Sequence, residues 1–402
     1  MKPLNVGVVG LKHGLSHARI VQELLKQAEV VMLCDLNADR LKKAAEELEI
    51  AKTTTHFADL IADEDIDIIC IASPDYSHGN MTLAALEAGK HLMVEVPLET
   101  RDLDLLWKIV RLAERRNLKV QMDLPDRWLP ESVTMKKLIS DGDIGDPYYV
   151  ITEYLQDIRQ QGGGVGLSVN NFRMGRGEMP QEPVSAGAAT YAVDTAMWFC
   201  GEPFTEVFAY GNRKNLPMRN IDDHDVALFR TKSGTIARVQ CSKAARRPYK
   251  EIIKSVWGTK GTVECTGYLP APDDGTTVYA CVTGVGAVAE PYEEKYEMKP
   301  VPLEEVLPPK GLEHMTDEQK ERVGHGAVEV HSWVDLIDSI ENDRLPTINV
   351  YQAFRVCASQ IAVRKSKEEN RPILIPQIVE RHEELKPLRP LPFADVPSAD
   401  YW

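Results

Sequence analysis

The sequence predicts an α/β fold in two parts: a doubly wound parallel sheet at the N-terminus, then an α+β domain with an open, mostly antiparallel sheet. Three observations predict it. Residues 4–35, LNVGVVGLKHGLSHARIVQELLKQAEVVMLCD, run as an apolar strand, a glycine turn, an amphipathic helix, a second apolar strand and a terminal acid. Apolar runs then alternate with helical patterns as far as residue 123. Beyond about residue 145 the runs become short strands, several separated by turns such as KSG and GTKG.

In order, Asn5–Gly10 is the expected first strand, Gly10 and Gly14 bracket the turn, Ser16–Lys26 is a helix, and Glu29–Cys34 a strand ending at Asp35. A helix is expected over Asp39–Leu48, a buried parallel strand over Ile66–Ala72 (IDIICIA), and a helix over His78–Ala88. Strand His91–Glu95, helix Asp102–Arg116 and strand Lys119–Asp123 complete five strands. This is the Rossmann arrangement, whose ligands lie at the carboxyl ends of the strands. Positions 10–14, 35, 73–78, 95–97 and 123–128 are therefore the ones to read for chemistry. In the second part, strands are expected at Tyr148–Gln156, Phe204–Arg213, Asp225–Thr231, Thr235–Ser242, Ile252–Trp257 and Thr262–Thr266. Helices are expected at Thr190–Phe199, Val328–Ile340 and Val350–Lys367. The expected domains are 1–125 (dinucleotide-binding), 126–370 (substrate-binding and oligomerisation) and a tail, 371–402, holding six prolines.

The glycine turn departs from G-x-G-x-x-G, since Lys12 and Leu15 stand where glycines would be. The strand–turn–helix–strand–acid order carries the prediction of nucleotide binding; the bland alternative is a βαβ unit whose glycines only serve the turn. A helix N-terminus favours phosphate, and a carboxylate at position 35 accepts a ribose 2′-hydroxyl and repels a 2′-phosphate. NAD is thus the expected cofactor. Lys12, within reach of a pyrophosphate or a 2′-phosphate, leaves NADP open. The candidate cofactor residues are Gly10, Lys12, His13, Gly14, Asp35, Ser73, Pro74, His78, Glu95, Val96 and Pro97, with His78 expected to cap and orient.

Net charge is −14, from 47 basic and 61 acidic residues, which argues against nucleic acid or an anionic membrane surface as partner. An apolar run of about 18 residues, as a membrane span requires, is absent. Seven scattered cysteines, several in apolar runs such as IICIA and MWFCG, suit reduced core residues. The expected location is the cytoplasm. The acids of Asp222-Asp223-His224-Asp225 lead into a strand whose alternate residues face opposite sides, so no metal is expected.

The chain resembles the Gfo/Idh/MocA oxidoreductases over nearly its whole length. VGVVGLKHG matches the family's start, and ASPDYSHGNMTLAALEAGKHLMVEVPL resembles its signature block, which usually ends Glu-Lys-Pro. LISDGDIGDPYYV matches the lead into the second domain, and TYAVDTAMWFCGEP resembles the active-site helix. HGAVEVHSWVDLIDSI and RLPTINVYQAFRV resemble the late helices. The resemblance implies a cis bond before Pro97 and an NAD(H)-dependent oxidoreductase acting on a secondary hydroxyl of a sugar, sugar derivative, glycoside or cyclitol. It also implies a homodimer or homotetramer that covers the open sheet face.

Departures from the family pattern bear on mechanism. Val96 replaces the lysine of Glu-Lys-Pro, and Gly187, Ala189 and Tyr191 replace the usual aspartate, glycine and histidine of the active-site helix; only its last aspartate persists, as Asp194. Removing a hydroxyl proton as hydride leaves requires a base, worth roughly 10²–10⁴-fold. Tyr191, at the histidine's position, and His325, in a G-H-G segment, are the candidate catalytic residues; His331 packs or caps within its helix. Asp123, Arg127 and Trp128 follow the fifth strand and suit a sugar, Arg173 (with Arg176 three residues on) suits an anion, and Asp194 completes the candidate substrate set. Two alternatives stand beside the dehydrogenase: a redox-assisted glycoside hydrolase that keeps its NAD, and a nucleotide-binding sensor without chemistry.

Overall fold

The computed structural model describes residues 2–155, 189–214, 222–245, 250–269, 277–282, 297–306, 316 and 328–380. Two compact units divide the chain. The first groups Met1–Pro125 with Leu307–Cys357, and the second groups Asp126–Val306 with Ala358–Val379. The segment 307–357, which lies inside the sequence division 126–370, thus groups with the N-terminal residues.

The first unit is built on six parallel strands, β1 Leu4–Val9, β2 Ala28–Cys34, β3 Lys52–Thr54, β4 Ile68–Ile71, β5 His91–Val94 and β6 Val120–Met122. Their order is β3-β2-β1-β4-β5-β6. Helices are α1 Gly14–Arg19, which runs on as a π-turn over Ile20–Leu24, then α2 Ala38–Leu48, α3 Phe57–Ala62, α4 Asp75–Glu87 and α5 Leu103–Arg116. Val6, Val8 and all four residues of β4 are fully buried, which is why these strands read as unbroken apolar runs. Six strands form where the sequence shows five. The extra one, β3, is an edge strand of three polar residues, two of them exposed, and carries no apolar signal. The strand order reverses between β1 and β4, the switch point beside which open α/β sheets bind ligands.

Local chemistry sets the helix ends. Asn37 caps α2 by accepting the Arg40 N–H, and Asp102 caps α5 by accepting from Asp104 and Leu105. Glu49 and Asn117 close those helices in the left-handed region. Helix α4 starts at Asp75, three residues before the expected His78, because Pro74 occupies its N-cap with extended backbone.

A 3₁₀ turn, Pro125–Trp128, precedes the second unit's helices α6 Pro130–Ser140 and α7 Ala189–Cys200. Its strands are β7 Pro147–Leu155, β8 Phe204–Asn212, β9 His224–Thr231, β10 Ile236–Ser242, β11 Lys250–Gly258, β12 Gly261–Leu269, β13 Thr277–Val282 and β14 Lys299–Val301. Later come α8 Glu329–Glu341, in the first unit, α9 Val350–Glu369, and β15 Ile373–Leu374. The nine strands run β14-β13-β12-β11-β7-β10-β9-β8-β15, antiparallel except for the pair β7–β10.

Helix α7 lies on β7 and β10, and α6 on β12 and β13. Along β9, Asp225, Ala227 and Phe229 are buried while Leu228 and Arg230 are exposed. The uncovered face carries Tyr210, Leu228, Ile236, Trp257 and Tyr279. Helix α8 buries Val330, Trp333, Leu336 and Ile337 in the same core as Val6, Val8, Leu11 and Ile20. No helix among the described residues is long and apolar enough to cross a membrane.

Candidate active site

The turn after β1 is shaped for close approach. Gly10 has φ +89°, and a Cβ there would stand 2.4 Å from the Ala72 carbonyl oxygen. The Gly14 N–H returns to the Gly10 carbonyl at 3.0 Å and starts α1, and a Cβ on Gly14 would meet Val8 Cγ1 at 2.9 Å. Lys12 and His13 stand exposed between them. Asp35, at the end of β2, is 5 % exposed. One oxygen accepts the Leu11 N–H at 2.8 Å and Arg40 Nη1 at 3.0 Å; the other accepts the Asn37 N–H at 2.7 Å and Arg40 Nη1 at 3.3 Å. Leu36, 86 % exposed, adds an apolar surface next to it. A glycine turn that excludes a Cβ, a helix start and a carboxylate at the neighbouring strand end fit a dinucleotide.

The ends of β4 and β5 are braced by His78, which is 1 % exposed. Its Nδ1 lies 2.8 Å from the Pro97 carbonyl and its Nε2 2.7 Å from the Ser73 carbonyl. Both ring nitrogens are engaged with backbone acceptors, so the residue ties strand ends together. Ser73 Oγ pairs with Ser77 Oγ at 2.7 Å, just past Pro74. The Val96–Pro97 bond is cis, and Val96, half-buried, gives its N–H to Glu95 Oε2 at 3.2 Å.

Beneath this turn lies a buried cluster that the sequence does not reveal. His17, on α1, approaches Glu95 Oε1 at 3.1 Å and Asp123 Oδ2 at 3.8 Å through Nε2. The Trp333 indole N–H, on α8, donates to His17 Nδ1 at 3.1 Å. Glu329 accepts from Ser16 Oγ at 3.1 Å.

The indole is a donor only, so His17 Nδ1 presents a lone pair and its proton sits on Nε2, aimed at Glu95. Burial disfavours charge on His17 while the Glu95 hydrogen bond, Glu329 and Asp123 raise its pKa; the indole occupies the nitrogen that would carry a second proton. On balance the facing carboxylates raise it to about 10, against burial and against the indole N–H. Burial and the charges of Glu329 and Glu95 push Asp123 well above the usual carboxylate range. Burial opposes ionisation of Glu95 too, but the His17 hydrogen bond and the His17 charge, followed by His13 and His78, outweigh it and bring it down to about 2.

His17, Asp123 and Glu329 place one ligand atom each within 4.8 Å of one another, as a metal would require. The imidazole offers no free lone pair in this arrangement, which opposes that use. Asp222 and Asp225 are both engaged by Lys367 Nζ, at 2.9 and 2.7 Å.

In the second unit, Arg127 and Asp194 are brought together. Arg127 Nε and Nη2 donate to the two Asp194 oxygens at 2.7 and 2.6 Å, both side chains being almost fully buried. Arg127 also lies over the Trp198 ring, 5.2 Å from its centroid. Lys136 donates to the Trp198 carbonyl at 2.8 Å, and burial with the Arg127 charge lowers its pKa to about 8. Tyr191, half-buried on α7, stacks on Tyr154 at 5.7 Å. Trp128 ends the 3₁₀ turn. Arg173, Arg176 and His325 lie outside the described residues.

A doubly wound sheet with this turn and acid, followed by a large mostly antiparallel sheet, defines a dinucleotide-dependent oxidoreductase class. Residues 4–124 match "Oxidoreductase family, NAD-binding Rossmann fold", and residues 132–264 match "GFO/IDH/MocA C-terminal domain". The chain belongs to the Gfo/Idh/MocA oxidoreductase family.

Inositol 2-dehydrogenase of Salmonella typhimurium is 27 % identical over 265 residues, 65 % of this chain and 73 % of that protein. The inositol 2-dehydrogenase/D-chiro-inositol 3-dehydrogenase of Lactiplantibacillus plantarum is 22 % identical over 236 residues, 57 % and 62 % of the two chains. Among solved structures, levoglucosan dehydrogenase in complex with NADH and L-sorbose has a TM-score of 0.75 at 20 % identity, covering 94 % of this chain and 100 % of that one. Scyllo-inositol dehydrogenase from Lactobacillus casei, with NAD(H) and scyllo-inositol, has a TM-score of 0.69 at 18 % identity, covering 93 % and 99 %. These two share the fold. The chain is an NAD-dependent oxidoreductase acting on CH–OH groups, and the comparisons lend no support to the glycoside hydrolase or sensor alternatives.

Proposed function

We propose that this protein oxidises or reduces a secondary hydroxyl of a cyclitol or sugar with NAD(H). The observation that carries this reading is the set of sequence relatives, several named inositol 2-dehydrogenases, joined to a glycine turn and Asp35 that fit the cofactor. NAD supplies the hydride acceptor. The protein's part is to hold the carbinol and take its proton. Val96 cannot do so and gives an apolar wall at the carboxyl end of β5. Tyr191 is the proposed acceptor, a phenol stacked on Tyr154, with His325 the second candidate. Asp123, Arg127, Trp128, Arg173 and Asp194 remain the proposed substrate set, the Arg127–Asp194 pair acting as one rigid unit.

Domain use follows: residues 1–125 hold the dinucleotide, and 126–370 bind substrate and associate with another copy. The uncovered face with Tyr210, Leu228, Ile236, Trp257 and Tyr279 supports a homodimer or homotetramer. Seven free cysteines support a reducing compartment, the cytoplasm. The test is NADH formation across a panel of inositols, sugars and glycosides, with product analysis. NADH growth with a polyol supports the reading, while aglycone release without NADH growth contradicts it.

A further inference from the structure

His17, Glu95, Asp123 and Glu329 come from α1, the ends of β5 and β6, and α8, all in the first unit. His17 Nε2 stands 3.1 Å from Glu95 Oε1 and 3.8 Å from Asp123 Oδ2, and His17, Asp123 and Glu329 each place an atom within 4.8 Å of the others. Three carboxylates thus face one imidazole. Of the four, only Glu95 reaches the surface, with 19 % of its side chain exposed; those of His17 and Asp123 are 1 % exposed, and Glu329 is buried.

Asp123 is the member least able to carry a charge. Its Oδ1 is buried with no hydrogen-bond partner among the described residues, as is the Oγ of Ser332, one turn along α8 from Glu329. An unbonded buried oxygen is costly on a carboxylate and much less so on a neutral acid. The raised pKa of Asp123 agrees with that geometry. The other titratable groups facing the cluster are the Cys70 thiol on β4, kept protonated by burial and by these carboxylates, and His13 and His78, whose charges act on Glu95.

The cluster lies on the ligand side of the sheet, since Glu95 and Asp123 directly follow β5 and β6. In this fold a dinucleotide crosses the switch point, so an adenosine ribose at Asp35 leaves the nicotinamide half on the side of β4, β5 and β6. The two redox forms differ there by one charge. NAD⁺ carries a pyridinium cation and NADH does not, while the pyrophosphate is the same in both. A cation near a carboxylic acid favours its ionised form.

We propose that this cluster is a proton store set by the redox state of the bound cofactor: NAD⁺ binding drives a proton from Asp123 out through His17 and Glu95, and conversion to NADH draws one back. Hydride carries two electrons and the carbinol hydrogen to the nicotinamide. The hydroxyl proton leaves through the acceptor proposed above, and the store takes up one proton as the pyridinium charge disappears. The proton lost by the alcohol is thereby balanced inside the protein until NADH departs. This inference rests on the NAD(H) reading of the site.

The test is titration calorimetry of the full chain with NAD⁺ and with NADH, each in two buffers of different ionisation enthalpy, which counts the protons released on binding. No substrate is present, so the place of Asp123 in the proposed substrate set does not enter. The expected result is about half a proton or more released with NAD⁺ beyond that released with NADH, and an NAD⁺ affinity that rises about threefold per pH unit relative to that of NADH around neutrality. Asp123→Asn, which holds no titratable proton, should abolish both differences. Glu329→Gln should shrink them, because Asp123 then loses its proton before the cofactor arrives. Equal proton counts for the two forms overturn the proposal alone, as does an excess that both variants leave intact. Binding of neither dinucleotide overturns it together with the cofactor site.

Discussion

Trp333 and His17, 316 residues apart in the chain, are joined by an indole N–H that donates to the imidazole Nδ1 at 3.1 Å. The bond fixes the ring's tautomer and thereby turns Nε2–H toward Glu95, the residue that follows β5. A side chain on α8 thus orients a carboxylate at the end of β5. Removing the donor while keeping an aromatic ring isolates its effect: Trp333→Phe is expected to cost about 1–2 kcal/mol in chemical denaturation and to weaken NADH binding several-fold. Unchanged stability and affinity would mean that the bond orients nothing.

Asp123 gives a pH signature. Its folded pKa is raised above the ordinary 3.8, first by burial and then by Glu329, so the folded state keeps a proton that the unfolded chain releases. Stability from this group is therefore full at acid pH and declines as pH rises from about 4 through the raised folded value. Asp123→Asn cannot ionise. It should raise the Tm near pH 8 by a few degrees and lose that advantage near pH 4, as followed by thermal melts. Glu95 runs the other way. Its depressed pKa of about 2 means that its contribution is present above about pH 4.5 and lost on acidification toward 2.

The buried Arg127–Asp194 pair is expected to behave as a unit. Asp194→Asn leaves a guanidinium uncompensated in the interior and should cost about 3–5 kcal/mol. Replacing both partners with apolar residues should cost less than the sum of the single changes, measured as a double-mutant cycle in denaturant.

Gly10→Ala places a Cβ within 2.4 Å of the Ala72 carbonyl at φ +89°. The expected result is a loss of about 1–3 kcal/mol in stability and at least tenfold in NADH affinity, read by denaturation and calorimetry.

For the proton acceptor, Tyr191→Phe should lower kcat by about 10²–10⁴ while NADH binding persists; if His325→Ala shows that loss instead, the role passes to His325.

The order β1–turn–α1–β2–Asp35 is legible because doubly buried parallel strands leave unbroken apolar runs and the turn leaves glycines. Strand β3 is not legible: Lys52, Thr53 and Thr54 form an edge and bury little. The helices Phe57–Ala62 and Pro130–Ser140 are missed as well, the first because six residues are too few to show a helical period. At the site, Asp35, Glu95 and Gly10 are marked by their place after strands. The partners of Glu95 are not, because His17, Asp123 and Glu329 converge only once α1, β6 and α8 pack together. Arg127 and Asp194 read as two separate substrate residues, and only the fold shows each answering the other's charge. For Asp35 the sequence marks an acceptor at a strand end, and the structure shows that Leu11, Asn37 and Arg40 already engage it.

The most direct test of the central claim is the initial rate of NADH formation when the purified protein receives NAD⁺ and each member of a panel of inositols and simple sugars. The account predicts saturable NADH formation with at least one polyol, accompanied by a ketone product in equal amount. NADH binding without NADH formation or ketone across the whole panel would contradict it.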